Sequence, residues 1–190
     1  MKQQQTSVFI RSMTGNLVST ITKDVLMVGL GSVLIAVSAR IVIPFWPVPV
    51  SGQTFAVLLI AALLGSRKGM FSVLAYIGGG IAGLPVFASG SLGVLTLAGP
   101  TAGYLYGFIA AAFMVGWLLE KGWHQRSFSI LAAFIIGNMI IYLSGLAWLS
   151  HFIDGNQLLM SGLLPFLPGD MVKIFLAFLS YQGIQYFSEK

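Results

Sequence analysis

The sequence predicts an all-α integral membrane protein: six transmembrane helices, both termini cytoplasmic, and a pocket that opens outward. Three observations carry that prediction. Its 190 residues are 57% hydrophobic and 8% charged, where a soluble domain carries about 25% charge, and the mean hydropathy is +0.91. Apolar runs long enough for a bilayer recur between short polar, proline-rich or glycine-rich breaks. The cations gather in alternate loops, as the positive-inside rule requires. The length suits one membrane domain over 1–190. With no cysteine, disulfides, thiolate metal sites and cysteine nucleophiles are excluded.

Residues 1–23 are polar, yet Phe9, Met13, Leu17 and Ile21 recur every four residues among Lys2, Arg11 and Lys23. That pattern fits an amphipathic helix lying on the cytoplasmic face, or a frayed end. The stretch lacks the apolar core of a signal peptide. The first span is expected over about 24–43, stopped by Pro44, Pro47 and Pro49. Gly29, Ser32 and Ala36 share one of its faces, loosely continued by Ala39, and small residues let another helix approach closely. Arg40 near its far end either snorkels to the interface or enters a binding cavity.

The uncharged loop 44–52 leads to a second, short span at 53–66, closed by Arg67 and Lys68. The third is expected over 69–83, where Gly78, Gly79, Gly80, Gly83 and then Pro85 should break the helix. Residues 87–93 look irregular. Uncharged irregular backbone at membrane depth must pack in protein or line a cavity, and such interrupted segments are the best sequence pointer to a transport site. The fourth span, about 101–119, starts after Gly99-Pro100 and carries a small-residue stripe of Gly99, Gly103, Gly107 and Ala111. The fifth, about 128–149, holds Asn138 and Tyr142 one turn apart. A mid-membrane asparagine is either interhelical glue or a ligand contact. Trp148 suits an interfacial belt. The sixth, about 170–187, follows a loop in which Pro168 and Gly169 should end whatever precedes them.

With six spans both ends share a side. Lys2, Arg11, Lys23, Arg67, Lys68, Lys121, Arg126 and Lys190 fall there, and only Arg40 and Lys173 do not. That side is therefore expected to be cytoplasmic. The net charge of +5 is accounted for by topology and is no sign of nucleic acid. The proline loop, the glycine-rich stretch and the start of the last span then all face outward.

Asp170 and Lys173 are the main chemical signal. Three residues apart, they share one helix face at a membrane edge. An acid and a base retained there are a functional-site hypothesis by default, and the competing reading is a mutual salt bridge near a helix N-terminus. Other motifs fail. Gly78–Gly83 matches GxGxxG but follows no strand, and Pro85 interrupts the helix it needs. No GxxxxGK[ST] is present to cradle ATP phosphates. His124 and His151 lie on opposite sides, and His151 with Asp154 falls short of a metal's usual ligand set. No histidine lies in a span to activate a serine, so neither an enzyme nor a metal site is expected.

Four blocks resemble the BioY family, the biotin-specific S components of energy-coupling factor transporters. They are Pro49-Val50-Ser51-Gly52-Gln53-Thr54-Phe55-Ala56-Val57-Leu58-Leu59, Gly83-Leu84-Pro85-Val86-Phe87-Ala88, Gly99-Pro100-Thr101-Ala102-Gly103-Tyr104, and Pro165-Phe166-Leu167-Pro168-Gly169-Asp170 with Lys173. Together they cover about Ser32 to Phe187 in the family's order. The resemblance implies a six-helix membrane protein that captures biotin from outside, alongside a transmembrane coupling subunit and a pair of ATPases, and with no cofactor of its own. It places Asp170 and Lys173 at the substrate, and the GLPVFA block with the following glycine loop as lid and wall. It also assigns the first helix's small-residue stripe to the coupling subunit. Here that stripe is Gly29, Ser32, Ala36 and Ala39, which departs from a clean run of alanines.

A pocket for biotin pairs apolar walls with a few placed polar groups. Asp170 is expected to accept a ureido N–H, and Lys173 to donate to the ureido carbonyl or pair with the carboxylate. Asn138, Tyr142, Gln53 and Ser89 are further polar candidates, and Phe87, Trp46 and Tyr104 would cover the rings. The alternative from another class is a self-sufficient secondary carrier or channel for a small solute, with Asp24, Asp170 or Glu120 as its ion site. A purely structural membrane scaffold is disfavoured by the charged pair and the broken third span.

Overall fold

The computed structural model describes residues 2–44, 46–88 and 93–188, with side chains described from Thr20 to Phe187 within those ranges. It is all-α apart from one minimal hairpin of strands. Among the described residues four helices are long and apolar enough to cross a membrane, or five when a bent pair near the C-terminus is taken as one span.

Helix α1 runs Lys2–Ser38 as one continuous helix whose apolar window is Thr20–Ser38. No break separates the expected surface segment from the first span, and the helix stops before 43. The amphipathic face at Phe9, Met13 and Leu17 lies outside the described side chains. Beyond Ser38 the chain turns into β1, Val42–Ile43, which pairs antiparallel with β2, Val50–Ser51. The ladder stays short because Pro44, Pro47 and Pro49 between the strands have no N–H to donate.

Helix α2 covers Gln53–Ile81, but Gly65 inside it has φ 80° and ψ 179°, a conformation essentially restricted to glycine. The chain reverses there. A methyl on Gly69 would come within 2.9 Å of Ala61 Cα, and Gln53 meets Tyr76 across the two arms. Glu120 clasps the reversal: Ser66 N donates to Oε1 at 2.7 Å and Ser66 Oγ to Oε2 at 2.8 Å. The two short spans expected at 53–66 and 69–83 are thus arms of an antiparallel hairpin, 53–64 and 66–81. The expected break comes at the end of the glycine cluster: the helix runs through Gly78–Gly80 and stops at Ile81, before Gly83 and Pro85. Gly80 has to be glycine because the Phe87 ring occupies the space its side chain would need. The helix ends in a Schellman motif, with Leu84 N donating to Gly79 O and Gly83 N to Gly80 O, and Gly83 at φ +94°.

After the short helix α3, Leu95–Ala98, come α4, Ala102–Glu120, and α5, Ser127–Leu149. Helix α4 is the centre of the bundle and packs between α2 and α5. Its glycine stripe permits this: a methyl on Gly107 would lie 2.9 Å from Ile141 Cα, and Gly103 is covered by Trp148. Helix α1 lies over the α2 hairpin, where Gly31 abuts both Ser72 and Ile60. Asp24 and Lys68 pair at 2.9 Å beside the reversal, a half-exposed contact that contributes little to stability.

The last loop is not irregular throughout. It contains α6, Gly155–Gly162, followed by α7, Leu167–Ser188, bent 41° from it. Helix α7 begins three residues earlier than expected. Pro168 and Gly169 open it rather than end its predecessor, since a first-turn proline lacks only an N–H that would have no helical partner.

Candidate functional site

The starts of α2, α4 and α7 and the described parts of the loops 44–52 and 82–101 meet at one end of the bundle. Between them lies a cavity of about 430 Å³, within the range of small-molecule sites. The Gly65 reversal, the Asp24–Lys68 pair and Glu120 lie at the opposite end.

Two helices, α5 and α7, contribute the polar core of the site. Asp170, in the first turn of α7, is 4% exposed. Lys173, one turn on, donates from Nζ to Asp170 Oδ1 at 2.8 Å, and Tyr142 of α5 donates a short hydrogen bond to Oδ2. The salt bridge read as an alternative does exist here, and both partners also line the cavity. Each carboxylate oxygen keeps a free acceptor position after one bond. Asn138 does not line the cavity but lies one turn behind Tyr142, engages its hydroxyl, and has its own Oδ1 buried without a partner among the described residues.

On the opposite wall, Gln53 opens α2. Its Oε1 accepts from Ser51 Oγ at 2.7 Å and its Nε2 donates to Tyr76 Oη at 2.6 Å. Tyr76 in turn donates to Val86 O at 3.3 Å, and Arg40 donates to Pro85 O. Arg40 therefore ties the end of α1 to the loop that carries Phe87, and it does not line the cavity. Phe87 is 1% exposed, set edge-on to Tyr76 at 5.6 Å between centroids, and forms part of the wall. Tyr104 of α4 lines the cavity with its ring stacked on Phe166 at 6.1 Å, while its hydroxyl donates to Gly162 O at 2.7 Å.

The remaining expected residues fall elsewhere. Trp46 is 82% exposed and does not line the cavity, because the Ile43–Val50 pairing carries the tip of its loop outward. Ser89 lies outside the described residues. Along the first helix, Gly29 is exposed, Ser32 and Ala36 are half-buried, and Ala39 is fully buried, so the small-residue stripe does not form a single open face. Among the described residues no cluster of three His, Asp or Glu could hold a metal.

Several lining residues were not anticipated: Thr54, Thr96, Thr101, Leu105, Phe108 and Phe166. The spacing of Thr101, Tyr104, Leu105 and Phe108 is that of one helix face, a usable signal once Tyr104 was chosen. Phe166 and Thr96 gave none, since Phe166 sits in a turn and Thr96 in a four-residue helix too short to show a period.

Comparison with known proteins is consistent along the whole chain. The sequence profile of the BioY family matches residues 3–189. A Thermotoga maritima protein named biotin transporter BioY is 40% identical over 157 residues, covering 82% of this chain and 91% of its own. A Pyrococcus horikoshii protein named probable biotin transporter BioY is 36% identical over 163 residues, covering 86% and 96%. Among solved structures, the S-component for biotin from an ECF-type ABC transporter superposes with a TM-score of 0.80 at 27% identity, covering 88% of this chain and 93% of that one.

Proposed function

This chain belongs to the BioY family, and on that premise we propose that it takes up biotin across the cell membrane as the substrate-binding S component of an energy-coupling factor transporter. The observation that carries the reading is the buried Asp170–Lys173–Tyr142 group set into an otherwise largely apolar cavity. Biotin's ureido ring presents N–H donors and a carbonyl acceptor. Asp170 accepts from the ring, and Lys173 donates to the carbonyl while staying within reach of Asp170. Phe87, Phe108 and Tyr104 supply apolar wall for the thiophane ring and the valeryl chain.

Counting the α2 hairpin as two crossings and α7 as one gives six transmembrane helices, with both termini cytoplasmic. The support is the charge distribution. Lys68 and the Glu120–Lys121 turn lie at the end of the bundle away from the cavity, so the positive-inside rule turns the cavity outward. A transmembrane coupling subunit and a pair of ATPases complete the transporter, in keeping with a sequence that has no phosphate loop. Gly29 and the half-buried Ser32 and Ala36 offer that subunit the part of the α1 stripe not already used within the bundle.

The test is to purify the chain from cells grown with biotin, identify the co-purifying small molecule by mass spectrometry, and titrate biotin into ligand-free protein. Biotin should be recovered and should bind. A folded protein that carries a different solute and shows no biotin binding sinks the reading.

A further inference from the structure

The cavity wall carries a buried polar group outside the Asp170–Lys173–Tyr142 cluster, the Thr96 hydroxyl. Among the described residues only Asp170 and Lys173 bring charge to the cavity lining, and those two neutralise each other at 2.8 Å. That pair suits a neutral ureido ring but leaves the charge of a ligand carboxylate without a counterpart. The wall also includes Thr96 of α3 and Gly99, Pro100 and Thr101, which lead into α4. Helix α4 is 19 residues long, its first turn contains no acidic residue, and Thr101 makes no side-chain capping hydrogen bond. Ala102 N and Tyr104 N already donate to Gly99 O and Thr101 O, so it is the positive end of the α4 dipole that favours an anion there. Independently, Thr96 is 8% exposed and its Oγ1 is buried with no hydrogen-bond partner among the described residues. A buried hydroxyl left unpaired is costly, and an acceptor supplied by a ligand removes the cost.

Resting on the biotin reading, we propose that Thr96 and the N-terminal turn of α4 form the subsite for the ligand's carboxylate, leaving Asp170, Lys173 and Tyr142 to the ureido ring. The Thr96 hydroxyl donates to one carboxylate oxygen, and the start of α4 faces the other. Lys173 is then not the carboxylate's partner. Selection for an acid over its neutral analogue comes from a helix end and a hydroxyl.

The experiment compares biotin with biotinol, its neutral alcohol, by equilibrium titration of the purified full chain. Wild type should prefer biotin. Thr96→Val, close in shape, should weaken biotin about tenfold, as for a lost hydrogen bond to a charged group, with biotinol almost unchanged. Thr96→Ser should restore the preference. Lys173→Gln should weaken both compounds alike. A biotin-to-biotinol preference that survives in Thr96→Val, or that collapses in Lys173→Gln instead, overturns the subsite and leaves the biotin reading intact. Wild-type protein that binds neither compound overturns both.

Discussion

Asp170 is held by one donor from its own helix and one from α5, which makes its geometry a property of two elements. Hydrogen bonds to a charged group are worth about 1.5–3 kcal/mol. Asp170→Asn should therefore weaken biotin binding by about 1.5–3 kcal/mol, read by equilibrium titration in detergent. Tyr142→Phe should cost less, about 1 kcal/mol, because it leaves the Asp170 carboxylate in place and removes only one of its two donors. The double variant should fall short of the sum, since both changes act on one carboxylate. Full additivity would separate Tyr142 from the Asp170 contact. At this scale the sequence was informative where chemistry is rare. An acid and a base three residues apart in so apolar a chain stand out, and Asn138 with Tyr142 showed one turn of spacing. Trp46 looked like a ring cover because aromatic residues favour ligands, but the position of a loop tip depends on strand pairing that no local pattern reveals. Thr96 was invisible for the opposite reason, because a threonine is ordinary until its partner is found to be missing.

Among the elements, the α2 hairpin depends most on single residues. Gly65 sits at φ 80° and ψ 179°, and a side chain there would also run into the Glu120 carboxylate. Gly65→Ala should destabilise the fold by more than the ~1–3 kcal/mol of backbone strain alone. Glu120→Gln, which keeps one acceptor for Ser66, should cost less. Thermal unfolding of the purified variants in detergent checks the order, and equal losses would mean that the clasp rather than the backbone holds the reversal. The sequence showed two short apolar runs separated by Arg67 and Lys68, and that much is present as two arms. It did not show the run Gly78–Gly80 as helix. Glycine is a poor helix former on its own, and only the Phe87 ring, brought back by the Schellman turn, makes its smallness useful there. The α6 helix was missed because eight residues are too few for a periodic pattern to separate from a loop.

For the whole molecule, orientation is the property most open to direct measurement. The chain has no cysteine, so single introduced cysteines report cleanly. Trp46→Cys, at an exposed tip beside the cavity, should react with a membrane-impermeant maleimide in intact cells. His124→Cys, in the turn after α4, should react only after permeabilisation. The reverse pattern would invert the proposed topology. Charge asymmetry was legible because it depends only on which loop a residue occupies. The cavity was not, because it is enclosed by helix starts that are far apart in sequence and come together only once α4 has packed on both neighbours.

The Gly65 reversal also bears on how the chain enters a bilayer. Twelve residues, 53–64, cover about 18 Å as a helix, well short of the ~30 Å hydrocarbon core. The second arm begins with Ser66, Arg67 and Lys68, and these cations favour the water boundary. Neither arm alone is a unit that lipid would accept during synthesis. Joined, they bury their close faces against each other, keep the cations at one surface, and leave the short arm's far end to be completed by the proline loop. The hairpin is therefore the unit expected to enter the bilayer, with Glu120, later in the chain on α4, fastening its turn.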